Sequence, residues 1–275
     1  MKKEVRRGMV RIVAVIPARM GSTRFPGKPL APLLGRPMIE HVVRRASMCE
    51  ALDAVYVATC DEEIGAAVEG FGGAVLMTSP AHERASDRVA EAAGRVEADI
   101  VVMIQGDEPM VTPGMIAAAV APMLDDPSVA CVNLARRINS REEYVDRNTI
   151  KVVTNVHSNA LYFSRAPIPA LDLARDFSSG AVARPPVFKQ VCVIPFRRDF
   201  LREFARLTPT PLERAESIDM LRLIEHGLGV RLVETKEDTH AVDTPEDLRL
   251  VEALMRDDPL LQRYGEPVAR GALRV

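Results

Sequence analysis

The stretch Val10–Leu30, VRIVAVIPARMGSTRFPGKPL, decides the fold. Its first part, Val10–Pro17, is an almost unbroken apolar run, which predicts a strand buried on both faces of a sheet. Three cations, two hydroxyls and two glycines follow in Ala18–Leu30. Because ligands of parallel α/β sheets bind beyond the carboxyl ends of the strands, we expect this loop to line a ligand cleft.

Short apolar runs alternate with helical segments downstream, which indicates a layered α/β fold with a parallel sheet. The further predicted strands are Ala54–Thr59, Ala74–Thr78, Ile100–Gln105, Val129–Asn133, Ile150–Asn155 and Val187–Phe196. The predicted helices are Arg36–Cys49, Asp61–Phe71, Ser86–Glu97, Leu212–His226 and one that opens with a capping box at Thr244. The segment Ala170–Pro186 contains Gly, Pro and Ser and is predicted to be a mobile loop.

Composition excludes several classes of function. The chain has 275 residues, with 36 Lys and Arg against 38 Asp and Glu, and its aromatic fraction is only 4%. Nucleic-acid binding, which needs a basic excess or stacking platforms, is therefore not expected. No apolar run is long enough for a membrane span, and a signal peptide is not expected. The four scattered cysteines lack a C-x-x-C pair, which favours reduced thiols and a cytoplasmic location.

The loop Ala18–Leu30 has the composition of a polyphosphate-binding site. Arginine and lysine match phosphate oxygens, and glycine lets backbone N–H groups approach an anion closely. The loop matches neither the P-loop nor the dinucleotide fingerprint, so a P-loop NTPase and a dehydrogenase are not supported. A solvated basic loop explains the composition equally well when the loop is considered alone.

Two acidic motifs are candidates for the same cleft. Asp107 follows a predicted strand in Gln105–Pro109 (QGDEP), where a carboxylate can hold Mg²⁺ against phosphate oxygens. Glu108 beside it is either a second ligand or a turn residue. Asp243 directly precedes the helix cap Thr244, which leaves its own carboxylate available as another metal ligand. Taken alone, each acid is more often a turn or helix-entry residue.

Five separated motifs in this order resemble the cytidylyltransferases that activate 3-deoxy-manno-octulosonate (Kdo) and sialic acid. They are VIPARMGSTRFPGKPL from Val15, QGDEP from Gln105, NTIKVV from Asn148, ALYFSRAPIP from Ala160 and VDTPEDL from Val242. The last four are similar to the Kdo branch in particular. The resemblance extends from about Val10 to Leu254, nearly the whole chain.

The resemblance implies a Rossmann-like α/β nucleotidyltransferase (GT-A-like) fold, with a mixed central sheet and a small lobe that makes a homodimer. A single domain would span residues 1–275, with its core at about 10–254 and a C-terminal extension at 255–275. The implied reaction transfers CMP from CTP to the anomeric hydroxyl of a sugar acid and releases pyrophosphate, with Mg²⁺ as cofactor. The implied partners are these small molecules, and neither nucleic acid nor a membrane.

The same resemblance assigns roles to individual residues. Arg19 and Lys28 would hold the triphosphate, and Asp107 and Asp243 would bind Mg²⁺. These four are the implied catalytic residues. The implied nucleotide-binding residues are Ala18, Ser22, Arg24, Ser86, Asp87, Arg88 and Gln105.

The nucleotide side departs slightly from the family pattern. The family's S-G-T-[DE]-R stretch reads Arg84-Ala85-Ser86-Asp87-Arg88 here, with Ala85 in place of Gly and Ser86 in place of Thr. The pocket is thus slightly altered, and we still expect it to recognise cytosine.

The acceptor side departs further. The stretch that is usually R-H-x-G-[IL]-Y-x-[YF]-R is here Lys189–Arg197, with Gln190 in place of His and Ile194 in place of Tyr. The implied acceptor-binding residues are Lys189, Gln190, Ile194 and Glu213. Loss of several hydroxyl-binding groups changes specificity more than rate.

Three interpretations therefore remain open at the level of sequence. The first is a divergent Kdo cytidylyltransferase in which Lys189 and Gln190 hold the carboxylate. The second is a cytidylyltransferase for another ulosonic or sialic-type acid, or for a small phosphonate. The third is a non-catalytic CTP-binding relative. The first is favoured by a small margin, because the body of the chain resembles the Kdo branch.

Overall fold

The computed structural model describes residues 10–22, 24–177 and 185–264. Its strands are β1 Ile12–Ala18, β2 Pro32–Leu33, β3 Arg36–Pro37, β4 Ala54–Thr59, β5 Ala74–Met77, β6 Ile100–Ile104, β7 Val132–Arg137, β8 Lys151–Thr154, β9 Ala160–Ser164, β10 Phe188–Gln190, β11 Val193–Arg197 and β12 Arg231–Thr235. Its helices are α1 Met38–Ser47, α2 Glu62–Gly70, α3 Ala85–Ala93, α4 Pro113–Asp125, α5 Arg141–Val145, α6 Leu173–Asp176, α7 Arg198–Phe204, α8 Pro211–Glu216, α9 Met220–Glu225, α10 Pro245–Met255 and α11 Pro259–Tyr264. No helix among these residues is long and apolar enough to cross a membrane.

The central sheet has the strand order β11-β6-β1-β4-β5. Strands β6, β1, β4 and β5 run parallel, and β11 pairs antiparallel with β6. Alternate residues of β1 enter opposite apolar clusters, which helices α1, α2 and α4 cover on one face and α3, α7 and α9 on the other. Both faces of β1 are buried, as its unbroken apolar run predicts. The mixed, layered α/β fold is thus confirmed.

A second sheet, with the order β12-β7-β10-β8-β9, forms the lobe. The prediction of one strand over Val187–Phe196 is wrong, because β10 pairs with β7 and β8 of the lobe whereas β11 pairs with β6 of the central sheet. The crossover lies at Val191 and Cys192, and the apolar pattern that continues through it conceals the change of sheet. Gln190 therefore belongs to the lobe and Ile194 to the central sheet.

The predicted helix Leu212–His226 is interrupted. It divides into α8 and α9 at Ser217, whose φ of 56° and ψ of 49° lie in the left-handed region. Just beyond the break, Asp219 accepts hydrogen bonds from the amide and hydroxyl of Ser86. These tertiary contacts override the local helical pattern. The predicted helix end at Gly227, with a φ of 74°, is confirmed.

Two other departures concern loops and helix starts. The predicted loop Ala170–Pro186 contains the short helix α6, and its residues 178–184 lie outside the described residues. Helix α4 is absent from the predicted elements, although Thr112 caps it by accepting from the amide of Met115 and a proline opens it. The capping box at Thr244 is confirmed as the start of α10.

The start of the predicted C-terminal extension packs against α1. Helix α11 buries Tyr264, whose hydroxyl lies 2.9 Å from Nδ1 of His41 and 3.1 Å from Nε of Arg45. His41 Nε2 lies 2.7 Å from the carbonyl oxygen of Leu33, so this nitrogen carries the proton and Nδ1 accepts from Tyr264. Burial lowers the pKa of His41, which keeps the ring neutral.

Tyr264→Phe is expected to lower the free energy of unfolding by about 1–3 kcal/mol. The variant leaves two buried polar atoms, on His41 and Arg45, without their partner. Urea unfolding measures the loss, and Tyr56→Phe is the matched control because the Tyr56 hydroxyl makes no hydrogen bond with the described residues. Equal stability of the two variants would show that the hydroxyl of α11 does not stabilise the fold.

Candidate active site

The basic loop and both acidic motifs meet at the carboxyl ends of β1 and β6. Lys28 Nζ lies 2.6 Å from Oδ2 of Asp107, 3.2 Å from Oδ1 of Asp243 and 2.9 Å from the carbonyl oxygen of Val242. The backbone of the two acidic segments is joined as well, since the amide of Val242 donates to the carbonyl of Asp107. Three segments that are distant in sequence therefore form one charged centre, as the sequence predicts.

Glycine at position 106 permits the close approach behind this centre. A Cβ atom on Gly106 would lie 2.9 Å from the carbonyl oxygen of Pro17, at the end of β1. The absence of a side chain thus brings the QGDEP turn against the basic loop.

The carboxylates hold Lys28 as an ammonium ion. Burial by itself would lower the pKa of Lys28, but the nearby charges and hydrogen bonds of Asp107 and Asp243 outweigh it and raise the pKa above 10.5. Asp243 also accepts a 2.9 Å hydrogen bond from Arg24, whose other Nη donates to Asn148 at the same distance. The two acids are thus already compensated by cations of the loop.

The two carboxylates fit a magnesium ion. Oxygens of Asp107 and Asp243 converge on one position, which the Lys28 ammonium now shares. Magnesium commonly binds one or two carboxylates and completes its shell with waters and substrate phosphates. The described residues contain no cluster of three or more potential ligands, so phosphates and water would supply the rest. Glu108 is not a third ligand here, because it is buried and accepts a 2.6 Å hydrogen bond from Thr239.

Burial raises the pKa of Glu108 to about 7. Its carboxyl group borders the larger of two adjoining cavities.

The two cavities meet at this centre. The smaller one, about 380 Å³, is lined by Ala18, Ser22, Lys28 and Arg88, among others. The larger one, about 990 Å³, extends between the central sheet and the lobe. Arg19, Arg24, Gln105, Asp107 and Asp243 line both. Asp61, which follows β4, fixes the basic loop by accepting a 2.8 Å hydrogen bond from the amide of Met20.

The stretch Ser86-Asp87-Arg88 faces in two directions. Arg88 lines the smaller cavity. Ser86 is fully buried and donates a 2.7 Å hydrogen bond to Asp219, and Asp87 accepts one of 2.9 Å from Arg222. Neither Ser86 nor Asp87 lines either of these two cavities.

Glu213, predicted to bind the acceptor, does not line the larger cavity. Its carboxylate is fully buried and accepts two hydrogen bonds from Arg222, at 2.6 and 2.8 Å. Burial opposes ionisation, but Arg222 outweighs it and lowers the pKa of Glu213. Position 213 thus lies in the packing beneath the site, and Asp219 is the acid of this region that borders the larger cavity.

Gln190 lines the larger cavity, and Asn133 orients its amide. Asn133 Nδ2 donates to the carbonyls of Leu134 and Val191, so its Oδ1 faces Gln190 and accepts from Nε2 at 2.6 Å. This contact leaves Oε1 and the second N–H of Gln190 for a ligand. A hydroxyl group, which both donates and accepts, can pair with such an amide.

The other two predicted acceptor residues also border the larger cavity. Lys189 is engaged, since Nζ lies 2.7 Å from Glu143 and 3.3 Å from the carbonyl of Thr239. Ile194 is only 2% exposed and packs in the apolar cluster of the central sheet. The residues that sequence reasoning missed at this cavity include Arg84, Asn148, Arg165, Ser217 and Asp219.

Comparison with known proteins agrees with this geometry. The cytidylyltransferase family model matches residues 13–248. The 3-deoxy-manno-octulosonate cytidylyltransferase of Geobacter metallireducens is 47% identical over 251 residues, which cover 90% of this chain and 99% of the relative. The enzyme of the same name from Geobacter sulfurreducens is 46% identical, and the match covers 87% of this chain and 97% of the relative.

A solved structure is similar throughout. It is that of a CMP:2-keto-3-deoxy-manno-octonic acid synthetase complexed with CTP, with a TM-score of 0.80 and 41% identity, covering 89% of this chain and 98% of that one. The family match spans the loop, both acidic segments and both sheets described above. The chain therefore belongs to the cytidylyltransferase family.

Proposed function

We propose that this protein transfers CMP from CTP to the anomeric hydroxyl of a 3-deoxy-ulosonic acid, 3-deoxy-manno-octulosonate, and releases pyrophosphate. One observation carries the proposal: the two carboxylates and the Lys28 ammonium meet where the smaller cavity opens into the larger. A nucleotide in one cavity and an acceptor in the other would place the reacting atoms at this centre. The names of the relatives supply the acceptor.

In this proposal, the cationic side chains of the centre bind phosphate groups and the carboxylates bind the metal ion. Arg19 and Lys28 bind the triphosphate, and Asp107 and Asp243 would hold Mg²⁺. When bound, Mg²⁺ neutralises charge at the α-phosphate and polarises the attacking hydroxyl. The side chains supply no covalent intermediate, so the rate enhancement comes from positioning and electrostatic stabilisation.

Arg19→Ala is expected to raise the KM for CTP about 10- to 100-fold, because a charge-assisted contact to phosphate is lost. Steady-state kinetics at saturating acceptor measure this change. Arg249→Ala is the control, since Arg249 is 74% exposed on α10 and pairs with Glu246 on the same helix. An unchanged KM for CTP in Arg19→Ala would remove this residue from the triphosphate site.

Gln190→Leu is expected to raise the KM for the acceptor about tenfold and leave the KM for CTP unchanged. The variant removes the amide that Asn133 orients at the wall of the larger cavity, and it leaves an acceptor hydroxyl without a partner. The two KM values, measured separately, give the result. A larger change for CTP than for the acceptor would show that Gln190 faces the nucleotide.

Pyrophosphate release tests the function directly. The protein, CTP and Mg²⁺ are incubated with 3-deoxy-manno-octulosonate, with other ulosonic and sialic-type acids and with small phosphonates. Release with the first acid supports the proposal. Release only with another acid would assign the replacement of His and Tyr by Gln190 and Ile194 to a different specificity. Binding of CTP without release with any acid would identify a non-catalytic relative.

We also propose that the protein is a cytoplasmic homodimer. Two apolar side chains of the lobe support the dimer, since Val156 is 93% exposed and Leu161 is 55% exposed. Light scattering coupled to size exclusion would test it, with a monomer mass as the contrary result.

A further inference from the structure

A cation at the junction of the two cavities would favour the reaction proposed above, and the inference rests on that function. In a 2-ulosonic acid, the carbon that bears the attacking hydroxyl also bears the carboxylate. The carboxylate must therefore lie next to the α-phosphate when the hydroxyl attacks. Two anions at this distance repel each other unless a positive group lies beside them.

Three cations line both cavities: Arg19, Arg24 and Arg84. Arg24 is engaged with Asn148 and Asp243. Arg19 lies on the loop assigned to the triphosphate. Arg84 is therefore the junction cation that remains for the acceptor.

Arg84 is held in place but keeps hydrogen-bond donors that are not used by the described residues. Its Nη1 donates a 2.7 Å hydrogen bond to the hydroxyl of Ser217, in the left-handed break between α8 and α9. Glu213, which also pairs with Arg222, and Asp219 each form an ion pair with Arg84 at 3.8 Å, a distance too long for a hydrogen bond. The other N–H groups of Arg84 make no hydrogen bond with the described residues. Its guanidinium thus retains the donors that a carboxylate accepts in a bidentate pair.

The residues expected from the family resemblance to hold the carboxylate are poorly suited to it. The ammonium of Lys189 is paired with Glu143 at 2.7 Å. Gln190 carries no charge, and one N–H of its amide is already donated to Asn133. Arg84, in contrast, stands where the family stretch S-G-T-[DE]-R begins with Ser. Arg84 is thus a cation that this chain adds to the family pattern at a position bordering both cavities.

We propose that Arg84 binds the carboxylate of the acceptor and that Ser217 orients it. Arg84 is then a specificity-determining residue for 2-ulosonic acids. Ser217 is a positioning residue, which contacts the guanidinium and not the acceptor.

Kinetics of Arg84→Gln test the proposal. We expect the KM for the acceptor to rise about 10- to 100-fold and the KM for CTP to stay within about twofold. Arg84→Lys keeps the positive charge but lacks the paired N–H donors of a guanidinium. Its KM for the acceptor is expected to rise less than that of Arg84→Gln. Arg95→Gln, an arginine 50% exposed just beyond α3, is the matched control and is expected to behave as the wild type.

An acceptor analogue separates binding of the carboxylate from other roles. The wild type is expected to bind the acceptor far better than the analogue whose carboxylate is replaced by a carboxamide, whereas Arg84→Gln is expected to distinguish the two poorly. Equal discrimination by both proteins, or a larger effect on the KM for CTP, would overturn the proposal. If Arg84→Gln does not fold, the acceptor and the carboxamide analogue are compared with Arg84→Lys instead, which is expected to distinguish them less well than the wild type.

Failure of the general function is distinguishable from failure of this inference. A wild type that releases no pyrophosphate with any ulosonic acid contradicts the function itself. An active wild type whose Arg84 variants keep a normal KM for the acceptor contradicts only the role of Arg84.

Discussion

Asp107→Asn is expected to lower kcat about 10³-fold. The variant keeps the shape of the side chain but removes one of the two charges that converge at the centre. Asp243→Asn is expected to do the same, because its carboxylate faces the same position. The Mg²⁺ concentration for half-maximal rate is expected to rise in both variants, since each removes one of two protein ligands.

Pyrophosphate release over a titration of Mg²⁺ measures both effects. Asp199→Asn is the matched control, because Asp199 is 94% exposed at the start of α7 and lines neither cavity. Near-normal turnover of Asp107→Asn or Asp243→Asn at the Mg²⁺ concentration that saturates the wild type would rule out that residue as a metal ligand.

Arg222→Met is expected to destabilise the fold by about 3–5 kcal/mol at pH 7. Arg222 is 1% exposed, pairs with Glu213 and Asp87, and stacks over the ring of Phe204 at 4.7 Å. Without it, the Glu213 carboxylate remains buried and has only Arg84, 3.8 Å away and not hydrogen-bonded to it, as a countercharge. In the wild type the pKa of Glu213 is lowered, so this pair stabilises above the ordinary pKa and the contribution falls as Glu213 is protonated.

The free energy of unfolding of Arg222→Met is expected to rise as the pH falls, whereas the contribution of the pair in the wild type falls. An unpaired, buried Glu213 has a raised pKa, so its protonation in acid relieves the penalty and the difference from the wild type narrows. Urea unfolding at pH 7 and pH 5 measures both values. The double variant Arg222→Met with Glu213→Leu is expected to recover much of the loss. A cost below about 1 kcal/mol at pH 7 would show that the pair is not a stabilising element.

The central sheet and the charged centre could be predicted from the sequence because their signals are local. Strand β1 is a continuous apolar run, which is the sequence pattern of a strand buried on both faces of a sheet. Asp107 follows the carboxyl end of β6, so the topology of a parallel sheet brings it to the loop that carries Lys28.

The acceptor side could not be predicted as well, because its geometry depends on tertiary contacts. The break at Ser217 lies within a stretch of good helical pattern, and bonds from Ser86 to Asp219 hold the segment that follows. The crossover between β10 and β11 has no turn residue to mark it. Glu213 has the residue type of a sugar-binding acid, but only the structure shows that Arg222 occupies its carboxylate.

In the proposed reaction, the Lys28 bridge would couple the binding of the nucleotide to the binding of Mg²⁺. Because its ammonium already balances Asp107 and Asp243, a divalent cation would gain little by arriving before the nucleotide. A triphosphate that drew Lys28 to itself would leave Asp107 uncompensated and Asp243 with Arg24, and both carboxylates would hold the cation more strongly. Thermodynamic reciprocity would then require the cation to tighten nucleotide binding by the same factor. One lysine side chain would thus make the binding of nucleotide and metal cooperative.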